Sequence, residues 1–148
     1  MFISQKCQYA LRGVFELSLR YGEGPVKIAD IAENQAIPPR FLEVILSQLK
    51  QGVFVESRRG SEGGYFLSTS PNKLTVGDII RFIEGPVEPV GCGRGHDENC
   101  PLLGDCVFLP MWERLGDAIS EVYDSTTFQS LVEDHQQKQS EYVPSYTI

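Results

Sequence analysis

The sequence predicts a mainly α-helical fold with one small β-hairpin, followed by a second helical arm. Three observations predict it. Apolar residues recur at helical spacing in three successive segments as far as Gln51. Two short β-type runs, "VFVES" and "YFLST", then flank the basic, glycine-rich connector "RRGSEGG". Beyond Cys106 a heptad-like seam resumes the helical pattern.

The first helix is expected from Ser4 to Tyr21, with Ala10, Val14 and Leu17 on one stripe and Gly22, Gly24 and Pro25 ending it. Lys27 to Gln35 reads as a short second helix, with Ile28, Ile31 and Ala32 inward. In the third, Pro38 and Pro39 suit the first positions, where a missing N–H costs nothing. Leu42, Ile45, Leu46 and Leu49 form its core stripe, and Arg40, Glu43, Val44, Ser47 and Gln51 lie on its outer face. Three helices and a hairpin with a basic tip follow the order of a winged helix-turn-helix, which places its third helix in the major groove. A further helix restarts at Thr75, which forms an acidic variant of a capping box with Asp78.

Phe108, Trp112, Leu115, Ile119 and Val122 are spaced 4, 3, 4, 3. Such a narrow seam either docks on the front half of its own chain or meets a second copy. Gly116 favours the dimer, because mid-helix glycine costs ~1 kcal/mol against alanine and close approach of another helix would explain it. A short helix is expected to follow from Thr126 to Leu131, and then a polar tail. The chain thus divides into a winged helix-turn-helix over 1–85, a cysteine-rich loop over 86–108, a dimerisation helix and short follower over 109–131, and the tail over 132–148.

At 148 residues the chain supports one hydrophobic core. Its start, "MFISQKCQYALRG", lacks the apolar run of a secretory signal, and no window reaches the ~18 apolar residues of a membrane span. The expectation is a cytoplasmic protein with no membrane partner. Net charge is −7, unevenly spread: residues 1–83 hold ten Lys/Arg and eight Asp/Glu, residues 84–148 three and twelve. A mildly basic front and an acidic back fit a DNA-facing module joined to one that faces elsewhere.

Three of the four cysteines lie in "GCGRGHDENCPLLGDC", as Cys92, Cys100 and Cys106 in a C-x7-C-x5-C pattern. Clustered cysteines in an intracellular chain are metal ligands or redox thiols before they are structural disulfides. Soft thiolates favour an iron–sulfur cluster or zinc. A zinc site of Cys92, His96, Cys100 and Cys106 has reasonable spacing, and a thiol–disulfide switch is a third reading. The chain has no C-x-x-C and no nucleotide-binding glycine fingerprint after a strand, which argues against a redox enzyme, and it offers no evident small-molecule substrate site.

Four stretches in order carry a resemblance: "YALRGVFELSLRYGEGPVKIADIAENQAIPPRFLEVILSQLKQG", "RRGSEGGYFLS", "LTVGDIIRFIEGP", and the cysteine loop with the Trp112 helix. Over residues 1–131 the chain resembles the Rrf2 family of bacterial winged-helix transcription regulators, the group of IscR-, NsrR- and RirA-like iron–sulfur sensors. The resemblance implies a homodimer on a double-stranded DNA operator. It also implies a labile iron–sulfur cluster on the three loop cysteines, sensing redox state, nitric oxide or iron status.

The fourth ligand follows less directly from the resemblance. Some members have a histidine three residues past the last cysteine, where this chain has Leu109. Others use an aspartate of the partner's first helix, at the position of Gln8. Its neighbour Cys7, from the partner chain, is the first expectation, His96 the second, and a small external thiol or water the third. Without the histidine, a 4Fe–4S cluster is favoured over 2Fe–2S, and zinc is the alternative.

For DNA, the resemblance places Glu43 as a base reader, since a carboxylate accepts from cytosine N4 and repels phosphate. Arg40 and Ser47 flank it. Arg59 corresponds to a wing arginine that enters the minor groove, and Arg58 beside it is expected on phosphate. The wing tip departs from the family: Ser61–Gly63 replaces its usual Pro-Gly-Gly, and Glu62 has the wrong charge for DNA.

Overall fold

The structure, a computed structural model, describes residues 3–92 and 97–142. Helix α1 (Gln5–Leu19) is the hub, packed on α2 (Ile28–Gln35), α3 (Pro39–Gln51), α4 (Val76–Glu84) and α6 (Phe128–Glu141). Its N-cap is Ser4, whose hydroxyl accepts from the Cys7 amide at 3.1 Å. Its buried stripe is Cys7, Ala10, Val14 and Leu17, against which Ile31, Leu42, Ile45, Leu46, Leu49 and Ile79 close the core. The turn between α2 and α3 runs through Ala36, in the left-handed region at φ +51°. Pro39 then opens α3 as expected.

Strands β1 (Val55–Arg58) and β2 (Gly64–Leu67) pair antiparallel, from Val55 opposite Leu67 to Arg58 opposite Gly64. Val26 adds an isolated bridge to Tyr65, with both N–H···O distances at 2.8 Å. The hairpin is thereby tied to the segment before α2. The close approach demands Gly64: a Cβ there would lie 2.3 Å from the Val26 carbonyl oxygen. The first strand starts two residues later than the pattern "VFVES" suggests, because Val53 sits at φ +63° and the Phe54 amide still donates to the Leu49 carbonyl.

A 3-10 turn (Pro71–Lys73) leads to α4. The expected capping box is present: the Asp78 amide donates to Thr75 Oγ1 at 3.1 Å and the Thr75 amide to Asp78 Oδ2 at 2.9 Å. Helix α5 (Leu109–Ser125) is mounted on α4 near its own C-terminus. Arg81 makes two parallel hydrogen bonds to Asp124, at 2.6 and 2.9 Å. The Val76 amide donates to the Thr126 carbonyl, and the Phe128 amide to the Leu74 carbonyl.

Two expectations need correction. Residues 132–141 are not an irregular polar tail, because α6 continues to Glu141. Phe128, Leu131, Val132 and His135 are spaced i, i+3, i+4, i+7; Phe128 and Val132 are buried, and His135 meets the Phe15 ring edge-on at 5.5 Å. Gly116 is buried already within one chain, so its placement does not by itself call for a partner helix. No helix among the described residues is long and apolar enough to cross a membrane.

Candidate nucleic-acid interface and cysteine loop

Helix α3 separates its faces cleanly. Leu42, Ile45, Leu46 and Leu49 are buried, while Arg40, Glu43, Val44, Ser47 and Lys50 are exposed. Arg40 is held by a stack that crosses two helices. Its guanidinium lies 4.9 Å from the Phe41 ring centre, Phe41 stacks on Tyr9 of α1 at 6.4 Å, and Arg12 covers Tyr9 at 4.9 Å. Arg12 also donates to the Gln35 carbonyl at the end of α2, at 3.1 Å.

The turn before α3 has a second anchor, which the sequence reading missed. Glu16 of α1 is buried and accepts from Arg20 Nε (3.1 Å), Asn34 Nδ2 (2.8 Å) and Gln35 Nε2 (2.9 Å). A buried carboxylate is tolerated only when hydrogen-bonded in this way. The one signal in the sequence is Arg20, four residues further on the same helix.

In the wing, Arg58 ends β1 with its guanidinium 5.7 Å from the Phe66 ring centre, and Arg59 is exposed in the turn. Gly60 and Gly63 close that turn through a 3.0 Å backbone bond, and Glu62 is exposed between them. Lys50 Nζ donates to Ser57 Oγ at 2.6 Å, bracing the end of α3 against β1. The expected readers Arg40, Glu43, Ser47, Arg58 and Arg59 are therefore all exposed, on one helix and the hairpin that follows it.

The cysteine loop is a run of turns. Cys100 N donates to Asp97 O, Leu103 N to Cys100 O, Asp105 N to Leu102 O, and Leu109 N to Cys106 O. The last bond opens α5, so Cys106 is carried by that helix. Cys92, Cys100 and Cys106 are free thiols, each half-buried. Three soft, reachable donors fit an iron–sulfur cluster or zinc in kind. Among the described residues, however, no three of His, Cys, Asp or Glu stand close enough to hold a metal ion. His96 lies outside the described residues.

Cys7 is a correction. The buried stripe of α1 starts at Cys7 and not at Ala10, and its thiol is 0% exposed. Burial, and then the carboxylate of Glu84, push the thiol up to about 11. A metal needs the thiolate, which this site disfavours. Cys7 is thus a core thiol of its own chain, and does not stand before the apolar stripe as expected.

The expected dimer seam is at least partly uncovered: Phe108, Leu115 and Val122 are exposed, and Trp112 and Ile119 half-buried. Met111 adds to the apolar surface of the same helix.

The Rrf2 family, described as an iron-dependent transcriptional regulator, matches residues 3–134. The chain belongs to the Rrf2 family. It is 36% identical over 143 residues to the HTH-type transcriptional regulator CymR of Bacillus subtilis, covering 97% of this chain and 98% of that protein. The solved structure of that CymR, described as the global cysteine regulator of B. subtilis, has a TM-score of 0.74 and covers 90% of this chain and 97% of its own. The HTH-type transcriptional regulator IscR of Pectobacterium carotovorum is 35% identical over 133 residues, 89% of this chain and 79% of that protein. The structure of T. potens IscR has a TM-score of 0.76 at 31% identity, covering 99% of this chain and 95% of its own. These relatives are transcriptional regulators and not enzymes, and this Rrf2-family chain is likewise a transcriptional regulator with their winged-helix fold.

Proposed function

We propose that the chain works as a homodimer on a DNA operator, and that Cys92, Cys100 and Cys106 hold a labile iron–sulfur cluster through which it responds to redox state, nitric oxide or iron supply. The observation that carries this reading is the join at Cys106, whose carbonyl accepts the first amide of α5. A thiol ligand at that point hands any rearrangement of the loop to the helix that bears the exposed apolar seam. A bound cluster supplies iron that oxidants, nitric oxide or chelation can remove. The chain's own part is to present three partly exposed soft donors and to leave the fourth position outside the cysteines. His96 or a small external ligand fits that position better than the buried Cys7. The 4Fe–4S form is favoured over 2Fe–2S.

On the DNA side, α3 lies in the major groove, with Glu43 reading cytosine and Arg40 and Ser47 beside it. Arg59 enters the minor groove and Arg58 meets phosphate. A second reading keeps the DNA face and replaces the cluster with zinc or a thiol–disulfide switch. It is favoured by the 36% identity to CymR, a cysteine regulator.

Anaerobic purification decides between them. The first reading expects a coloured protein containing iron and sulfide, bleached or made oxygen-fragile by alanine at any one of Cys92, Cys100 or Cys106. A colourless protein with one zinc per chain, or with none, overturns it in favour of the second.

A further inference from the structure

Val44 is the outward apolar residue of α3 on the face that carries Arg40, Glu43 and Ser47. It lies with Arg40, Ser47 and Gln51 at i, i+4, i+7 and i+11, on the side of the helix opposite the buried Leu42–Leu49 stripe. Its side chain is 63% exposed. A β-branched valine is a weaker helix former than alanine, glutamine or lysine, and out here it gains nothing from burial. The neighbouring aromatics are otherwise engaged, since Phe41 is held between Tyr9 and Arg40. Val44 therefore lines an open apolar groove of about 420 Å³ together with Lys6, Tyr9 and Phe41.

The surroundings select the occupant. Lys6 lines the same groove, and Arg40 lies one turn before Val44 on the same face of the helix. A cationic rim around an apolar tip matches a polyanion that offers an apolar group at short range. In the major groove of DNA only one base edge does so, the C5-methyl of thymine. We infer that Val44 reads a thymine methyl, next to the base pair that Glu43 reads. This inference rests on the proposed DNA-binding reading and adds to it a second specificity-determining residue, one that discriminates by contact with a methyl group and not by hydrogen bonds.

The test removes only that methyl. The full chain, handled anaerobically, selects its duplex from a random pool. Each thymine of the selected half-site is then replaced in turn by deoxyuridine. At one thymine per half-site affinity should fall about fourfold, the effect of taking one CH₂-sized group out of apolar contact. Val44→Ala, which is helix-compatible, should lower affinity for the thymine duplex and erase the difference between thymine and deoxyuridine at that position. Equal binding of wild type to every deoxyuridine duplex, or the same fall in Val44→Ala, overturns the inference. So does a Val44→Ala chain whose sedimentation changes while its base preference does not, which makes Val44 a protein contact. Failure of the wild type to select any duplex sinks the DNA-binding reading itself, and is distinguishable because no base preference exists at any position.

Discussion

The thiol of Cys7 is a core group, fully buried under the N-cap of α1 at the start of that helix's apolar stripe. Iodoacetamide at pH 8 should accordingly modify three cysteines per metal-free native chain, Cys92, Cys100 and Cys106, and reach Cys7 only after unfolding, as mass spectrometry would report. Rapid labelling of Cys7 in the native state would mean that the start of α1 opens readily. Raising the pKa from 9.0 to about 11 has a direction as well. The folded state keeps the proton longer, so the buried thiol costs nothing below about pH 9. Stability then declines as pH rises from 9 towards 11, by at most about 2–3 kcal/mol. Urea titrations of Cys7→Ala should lack this part of the alkaline slope. Glu16 is the opposite case: nothing in apolar periodicity marks a buried carboxylate, since its reason for burial lies in Asn34 and Gln35, partners on another helix.

At the level of elements, what could be read early was whatever repeats locally. The core stripe of α3, the capping box of α4 and the hairpin around a basic turn follow from spacing alone. What could not be read depends on contacts distant in sequence. Helix α6 has polar residues over most of its surface, and it persists to Glu141 because Phe128, Val132 and His135 find α1. The wing is likewise held from outside itself, by the bridge from Val26 to Tyr65. Gly64→Ala places a Cβ 2.3 Å from the Val26 carbonyl oxygen at a φ of +154°, and should cost on the order of 2–3 kcal/mol in urea unfolding. Gly60→Ala at φ +106° meets no atom within 4 Å, so it isolates the backbone part of that cost and should be the milder change. Equal losses in the two variants would mean that the Val26 contact contributes nothing. In binding assays, Arg59→Ala should weaken all duplexes alike and flatten the salt dependence, whereas Glu43→Ala should relax one base position per half-site by roughly 1–3 kcal/mol.

The whole molecule is assembled around a charge division and an exposed seam. The basic portion carries α3 and the wing, and the acidic portion carries the cysteine loop, α5 and α6. Phe108, Met111, Leu115 and Val122 remain exposed on or beside a helix whose own chain covers little of it, an arrangement suited to a second copy across a two-fold axis. Replacing both Leu115 and Ile119 with glutamate would bury unpaired charge in such an interface. Sedimentation of that double variant should show a monomer with unchanged helical content. A dimer that survives it would place the interface elsewhere.

The mounting of α5 has a mechanical consequence. Two of its ties to α4, the Arg81–Asp124 pair and the bond from the Val76 amide to the Thr126 carbonyl just past its last turn, lie at its C-terminal end, while Cys106 lies at the other. Its 17 residues make a lever about 25 Å long, so a tilt of about 10° at the pivot sweeps the thiol end through about 4 Å. The same lever works in reverse. A few ångströms of motion in the cysteine loop arrive at α4 as a small rotation of a stiff rod, and α4 rests directly on α1, against which α3 is packed. Two such rods joined along their seams would turn together, so that one displacement at the loops resets the spacing of both reading heads.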